Sequence, residues 1–509
     1  MAILTGWTDS FLTDLTAVLA TVTAIIYAYF KWTYQYWKRR GLPYFEPSIP
    51  FGNMPNPVTS RISLAENVRR LYEHAKSKGQ ERMNYHRYKQ DGWRHCGSYT
   101  LTNSTWFVLD LDLIKHVLTK DFQYFTDREI FVNEKDDPLS THLFALGGTR
   151  WRNLRAKLSP TFTSGKMKMM FQTMVECGQV LEKYIDEELT GKQVVDIKEI
   201  LGRFSTDIIG SCAFGLECNS FQEPNSPFRV YGKKTLTPST MDILKRFVST
   251  CFPSFAKAIV AHRVEEQEKE KLQVLLVPSS GIIVLVSNTS LFLGNGNNLT
   301  MGEIVAQSFI FFIAGFETSS TTMTFALFEL ATRPDIQDKM REEIRTVLAK
   351  HDDKINYDSM NELVYMKRVI DETLRKHSPV ALLSRKAVAD YKVPGEDLVI
   401  EKGTGVFIPV TGLHYDEDYY EQPELFNPDR FSPENKSARN PYCHLPFGEG
   451  PRICIGERFG ILQTKVGLTS VLKNHRITLN KKTTVPLVLD PKAVVTSAVG
   501  GIWLDIDRL

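Results

Sequence analysis

The feature that most limits what this chain can become is one apolar stretch, "MGEIVAQSFIFFIAGFETSSTTMTFALFELA", Met301 to Ala331. Thr300 followed by Glu303 is a capping-box pattern that starts a helix, and Arg333-Pro334 supplies a stop. Between them the apolar residues cover the whole circumference instead of one stripe, which predicts a helix surrounded by protein. At 1.5 Å per residue it would run about 45 Å, enough to cross a whole domain. A second membrane span is the weaker reading, because Glu317 and the Ser/Thr group after it break the apolar run. Within the helix, "AGFETSS" places Gly315 where glycine costs about 1 kcal/mol against alanine, so something is expected to come close to its backbone. Glu317 and Thr318 set a carboxylate and a hydroxyl beside that point, and such a hydroxyl can bond to the carbonyl four residues earlier. Taken alone, a packing glycine beside a satisfied threonine is the simpler reading.

A different apolar run lies at the start. "FLTDLTAVLATVTAIIYAYF", Phe11 to Phe30, carries one charge, Asp14, and is long enough to cross a hydrocarbon core of about 30 Å. Trp7 and the aromatic group Tyr27, Tyr29, Phe30, Trp32, Tyr34, Tyr36 and Trp37 are expected near the two interfaces. Lys31, Lys38, Arg39 and Arg40 follow the span while Asp9 and Asp14 precede or begin it, so the positive-inside tendency puts the following domain in the cytosol. Positive charge after the apolar run also argues against a cleaved signal. The sequons at Asn103, Asn288, Asn298 and Asn435 would then stay unmodified. Residues 1–40 read as a membrane anchor and its basic stop. Residues 41–58, with Pro43, Pro47, Pro50, Pro55 and Pro57, read as a stiff hinge, and 59–509 as one large domain.

Composition narrows the function classes. A formal charge of +3 over 509 residues, with Lys and Arg spread along the chain, gives no footprint for nucleic acid. Seven cysteines in this length, with no CxxC pair, leave no disulfide framework, zinc site or covalent haem attachment, and favour a reducing compartment. Six of the seven read as buried small hydrophobes.

The body is mostly helical in pattern, as in "PDIQDKMREEIRTVLAK" and "MKRVIDETLRKH", with short strand-like runs such as "YKVPGEDLVIEKGTGVFIPV". Mainly α with minor β is the class. One cysteine stands apart, in "LPFGEGPRICIGERFG", Leu445 to Gly460. A phosphate cradle is excluded there, because the sixth place after Gly448 and Gly450 is Ile453 and no Lys-Ser or Lys-Thr follows. The glycines serve Cys454 instead. "ETLR", Glu372 to Arg375, puts opposite charges three apart on one helix face, and "FNPDRF" carries Arg430 in a turn.

Together these segments resemble one family. "FGEGPRICIG" resembles the cytochrome P-450 signature FxxGxRxCxG at every fixed place, Phe447, Gly450, Arg452, Cys454 and Gly456, with Gly448 between. "AGFETSS" resembles its oxygen-activation segment, "ETLR" its ExxR motif, "NPDRF" its PERF-type segment with Asp429 for glutamate, and "WRNLR", Trp151 to Arg155, its WxxxR element. The resemblance implies the cytochrome P-450 fold, a large helical domain plus a small β-rich subdomain behind the anchor. It implies haem b (iron protoporphyrin IX) with Cys454 as the axial thiolate ligand of the iron, a lever that favours O–O cleavage. Trp151, Arg155, Arg385 and Arg452 would contact the propionates. Glu372, Arg375 and Arg430 would form a buried network holding the cysteine loop. Glu317 and Thr318 would relay protons on the opposite haem face.

The implied reaction is monooxygenation, with electrons from NADPH through NADPH-cytochrome P-450 reductase, cytochrome b5 as a further partner, and the endoplasmic reticulum membrane, cytosolic face, as the location. "YWKRRGLPY", "NEKDDPLSTHLF" and "WRNLRAKLSPTFTSGKMKMMF" resemble insect microsomal members that oxidise plant toxins and insecticides. The expected pocket walls, Phe122 to Leu146, Phe309 to Thr318, Pro379 to Leu383 and Ala498 to Ile502, are mostly apolar and suit lipophilic small molecules. Two departures stand out: His377-Ser378, where aromatic and proline residues are commoner, and "KLQVLLVPSSGIIVLVSNTSLFLGNGNN", Lys271 to Asn298, where amphipathic helices are expected. The second reads either as a membrane-dipping roof or, preferably, as foreign sequence from a faulty gene model, preceded by a stretch, Cys251 to Lys271, too short for the expected helices. Two rivals follow: a haem-thiolate isomerase or dehydratase, against which the Glu317-Thr318 pair argues, and a catalytically impaired haem- or ligand-binding membrane protein.

Overall fold

The computed structural model describes residues 2–56, 59–81, 93–130, 132–134, 137–189, 194–226, 229–230, 232–233 and 299–509; the 251–271 and 271–298 stretches lie outside the described residues. The principal helices are α1 (Ala2–Thr33), α2 (Leu64–Glu81), α3 (Gly148–Leu158), α4 (Ser164–Tyr184), α5 (Ile197–Ile209), α6 (Met301–Thr332), α7 (Pro334–Ala349), α8 (Val364–Lys376) and α9 (Glu457–Leu472). The strands are β1 (His95–Thr100), β2 (Asn103–Val108), β3 (Val195–Asp196), β4 (Leu383–Lys386), β5 (Tyr391–Lys392), β6 (Val399–Ile400), β7 (Gly405–Ile408), β8 (His475–Leu479) and β9 (Trp503–Arg508).

α6 is the predicted central helix, one residue longer than the pattern implied. Its capping box closes in both directions: the Glu303 amide donates to Thr300 Oγ1 at 3.2 Å and the Thr300 amide to Glu303 Oε2 at 2.9 Å. Pro334 opens α7 immediately after it. α6 packs on α5, α8 and α9, and the core around it gathers Phe204, Met323, Leu327, Val369 and Val466, all fully buried. Its hydroxyls are hidden by bonding backwards, Thr322 to the Thr318 carbonyl at 2.8 Å and Thr324 to that of Ser320 at 2.7 Å.

A second core lies against the four-stranded sheet β1-β2-β7-β4, in which β2 and β7 are parallel and the other pairs antiparallel. Arg385 faces Val406 across β4 and β7. Among the described residues, the three-stranded sheet β3-β9-β8 and the pair β5-β6 make up the remaining sheets. The chain is therefore mainly helical with small sheets, as its patterning implied.

The start of the chain carries the expected apolar helix, but part of its aromatic group goes elsewhere. Thr13–Arg39 is long and apolar enough to cross a membrane, with 6% of its most apolar window buried. The aromatic group expected at the interfaces divides: Tyr27, Tyr29 and Trp32 are exposed, while Phe30, Tyr34 and Trp37 sit in the sheet core. Gly97 makes this packing possible, because a Cβ there would overlap the Trp37 ring. Trp37 Nε1 donates to the Ser98 carbonyl at 3.0 Å, and Tyr99 OH donates to that of Tyr34 at 2.9 Å. The proline-rich segment follows the sheet edge, Phe45 donating to the Gly97 carbonyl at 3.0 Å and Asn53 to that of Tyr99 at 2.8 Å. Prolines suit such an edge, since they have no amide to place in a ladder.

Candidate active site

The cysteine loop is a tight backbone structure. The Cys454 amide donates to the Phe447 carbonyl at 2.9 Å, that of Gly448 to Leu445 at 3.1 Å and that of Ile453 to Gly450 at 2.9 Å. Gly448 and Gly450 have φ of +74° and +76°, the left-handed region that glycine enters without a Cβ penalty. At Gly450 a side chain would also run into the Leu118 carbonyl. Gly456 is the N-cap of α9. Burial pushes the Cys454 thiol up; the Gly456 amide hydrogen bond and the charges of Arg155 and Arg128 pull it down, and Glu457 pushes it up. The sulfur's exposure is to an internal cavity of about 400 Å³, whose wall includes Cys454, Phe447, Gly448 and Gly456.

Four guanidinium groups border the same cavity: Arg128, Arg155, Arg385 and Arg452. Arg452 donates to the Thr126 and Leu146 carbonyls, both at 2.6 Å, and lies 4.2 Å from the centre of the Trp151 ring. Its Nη1 and the Nε of Arg385 are buried with no partner. Burial first, then repulsion among themselves, lowers Arg128 and Arg452 to about 9 and Arg385 to about 10. Buried cations with free donors call for an anion. Arg128 escaped the sequence reading: Asp127-Arg128-Glu129 looks like an ordinary charged loop, and only folding brings it beside β4 and the cysteine loop.

Across the cavity stands α6, presenting Phe311, Ala314, Gly315 and Thr318. Thr318 Oγ1 donates to the Ala314 carbonyl at 2.6 Å, the back-bond its sequence context allowed. What approaches Gly315 is Ile209 of α5, whose Cδ1 would lie 2.7 Å from a Cβ there. Glu317 does not line the cavity; it pairs with Lys198 at 2.7 Å. Of the four expected pocket stretches, parts of the first three contribute walls, whereas Ile502 is buried in the helical core with Ala498 packed against that core.

Beneath the loop, Glu372 and Arg375 are both 0% exposed and meet through two hydrogen bonds, at 2.7 and 2.9 Å. Arg430 Nε lies 3.4 Å from Glu372 Oε1, and the Asn427 amide donates to that oxygen at 2.9 Å.

This geometry defines a protein in which one cavity wall combines a cysteine sulfur, buried guanidinium donors that would suit an anionic group, and an apolar helix face. The residues fit haem: the unpartnered Arg452 Nη1 and Arg385 Nε are donors for carboxylates, and the Cys454 sulfur, in the same loop as Arg452, is a soft donor on the same cavity wall. The family model for Cytochrome P450 matches residues 71–504. Cytochrome P450 6a2 of Drosophila melanogaster is 38% identical over 514 residues, covering 97% of this chain and 99% of that protein. Probable cytochrome P450 6a23 of the same organism is 39% identical over 513 residues, with 97% and 99% covered. The chain belongs to the cytochrome P450 family and is a cytochrome P450 monooxygenase, with insect relatives over nearly its full length. Membership implies haem held through a cysteine thiolate, and a redox partner.

Proposed function

We propose that this enzyme inserts one oxygen atom of O2 into lipophilic small molecules, xenobiotics such as plant toxins or insecticides among them, that enter the apolar cavity between α6 and the cysteine loop. The observation that carries the reading is Cys454 opening onto that cavity opposite Thr318, beside partnerless guanidinium donors. Cys454 would hold the iron, Arg128, Arg155, Arg385, Arg452 and Trp151 would hold the propionates, and Phe311, Ala314 and Phe447 would exclude water around the substrate. When bound, the thiolate-ligated haem supplies the oxygen activation. Thr318 already spends its proton on Ala314, so toward the cavity its oxygen accepts hydrogen bonds and orders a proton path. Glu317, held by Lys198 outside the cavity wall, is the reserve carboxylate for that path.

Electrons come from NADPH through NADPH-cytochrome P-450 reductase, with cytochrome b5 as a second donor. The apolar Thr13–Arg39 helix supports anchoring in the endoplasmic reticulum membrane, with the body on the cytosolic side. The test is spectroscopic and catalytic. The reduced, CO-bound protein has the red-shifted Soret band of thiolate ligation, Cys454→Ala abolishes that band or the haem itself, and product forms from a lipophilic probe only with O2, NADPH and reductase. A histidine-type spectrum overturns the ligand assignment, and turnover without O2 or reductase overturns the reaction.

A further inference from the structure

The bonds of Glu372, Arg375 and Arg430 end on one another and on the 414–427 segment: Arg375 Nη1 donates to the His414 carbonyl at 2.8 Å, its Nη2 to that of Pro423 at 2.8 Å, and Arg430 Nη2 to that of Gln422 at 2.9 Å. The step from this network into the cysteine loop is made by a side chain. His414 is fully buried. Its Nδ1 lies 3.0 Å from the carbonyl oxygen of Arg375, and the amide of Leu445, the first residue of the loop, donates to its Nε2 at 3.0 Å. A carbonyl only accepts and an amide only donates, so the proton sits on Nδ1 and the ring is neutral. Arg375 and His414 thus bind each other reciprocally, side chain to carbonyl in both directions. His444, next to Leu445, stacks on the same ring, centres 5.2 Å apart.

We infer that His414 is a positioning residue for the haem-binding cysteine: it transmits the geometry of the Glu372–Arg375 pair to Leu445 and so fixes the register of the loop that ends at Cys454. This rests on the assignment of Cys454 as the iron ligand. The chemistry of the position is narrow. One donor and one acceptor, without charge, are required at that reach. Lysine and arginine cannot accept, an ionised carboxylate cannot donate, and an apolar side chain leaves both the Leu445 amide and the last-turn carbonyl of Arg375 buried without partners. Glutamine is the nearest substitute. From Leu445 the constraint passes along the loop through the Gly448 bond to the Leu445 carbonyl and the Cys454 bond to Phe447.

The experiment follows the reduced CO complex of the full holoprotein in mild urea and times the loss of the thiolate-type Soret band. His414→Leu shortens that lifetime by about tenfold or more, the cost of stranding a buried amide and carbonyl, and His414→Gln recovers most of it. Ile477→Ala, which destabilises the helical core instead, leaves the lifetime near that of the parent when compared at equal distance below each melting point. Equal lifetimes for parent and His414→Leu, a glutamine no better than leucine, or an equal loss in Ile477→Ala each overturn the inference. If His414→Leu yields no folded holoprotein, His414→Gln against His414→Asn carries the test: the shorter amide cannot reach Leu445 and gives the shorter lifetime, and equal lifetimes overturn the coupling. A parent without the red-shifted band overturns the ligand assignment first; a parent with it, and variants that do not differ, overturns the coupling alone.

Discussion

Lys198 holds Glu317: their charged groups meet at 2.7 Å, Lys198 also donates to Ser497 Oγ at 3.0 Å, and the carboxylate so held stands off the cavity wall formed by its neighbour Thr318. Two adjacent residues on α6 are thereby given different surroundings. The hydroxyl faces the cavity, while the carboxylate is tied to α5 and the C-terminal segment.

Unequal losses follow from this. Thr318→Ala should lower product formed per NADPH consumed by roughly a hundredfold or more, the ordinary scale for a positioned proton-transfer group, with the thiolate-type CO spectrum intact. Glu317→Gln should cost less, because its carboxylate has to leave Lys198 to take part. Parallel measurements of NADPH consumption and product decide it; equal losses would refute the division of roles.

Removing Arg375 strands a fully buried carboxylate. Arg375→Ala should destabilise the fold by about 3–5 kcal/mol, read from urea unfolding. Arg375→Lys should recover less than half, since one ammonium cannot reproduce the two-pronged contact with Glu372 or the bonds to the His414 and Pro423 carbonyls. A lysine variant as stable as the parent would show that charge alone suffices.

Two glycines of the cysteine loop should respond oppositely to alanine. Gly450 has a φ of +76° and a Cβ there would meet the Leu118 carbonyl, whereas Gly456 has a φ of −94° and its nearest neighbour would be Phe162 at 4.0 Å. Gly450→Ala should cost about 1–3 kcal/mol in backbone strain alone and reduce haem bound per chain severalfold. Gly456→Ala should retain haem, and comparable haem content in both variants contradicts the conformational argument.

The pair between α6 and the end of α8 predicts an acid limit. Burial would raise Glu329, but the hydrogen bond from His377 at 2.6 Å and the charges of His377 and Lys376 outweigh it and hold the carboxyl at about 2. Its folded value lies below the roughly 4.3 of an unfolded glutamate, so the pair stabilises fully above that pH and is lost as pH falls toward 2. His377, kept low by burial, adds to the loss from about pH 6.5 downward, where the unfolded chain takes up its proton. Unfolding free energy should fall by on the order of 2–3 kcal/mol between pH 5 and 2.5 through this carboxylate, a slope that Glu329→Gln removes. An unchanged slope in that variant would assign the acid sensitivity elsewhere.

His377 also explains one departure noted in the sequence. Its ring stacks on Phe325, 4.4 Å between centres and 6° from parallel, so a histidine does the packing of an aromatic residue while its nitrogen serves Glu329. Sequence spacing could not reveal this, because Phe325 and Glu329 lie on α6 and His377 lies just past the end of α8. The aromatic group at the end of the anchor divides for a related reason. An exposed Trp32 and a buried Trp37 look alike in a composition, and only the missing side chain of Gly97 decides that Trp37 goes inside.

The linear chain by itself determined the central helix with its two ends, the mainly helical class, the singular cysteine in its glycine-rich loop and the chemical types gathered around it. These depend on local rules, capping, periodicity, chain stiffness and motif spacing, that act within a few turns of backbone. Only the tertiary structure decided which arginines share a cavity, that Arg128 is one of them, that Glu317 answers to Lys198, and that His414 stands between Arg375 and Leu445. Each of these pairs residues far apart in the chain, and what selects them is the cost of leaving a buried charge or hydrogen-bonding group without a partner, a quantity that exists only once the chain has closed around it.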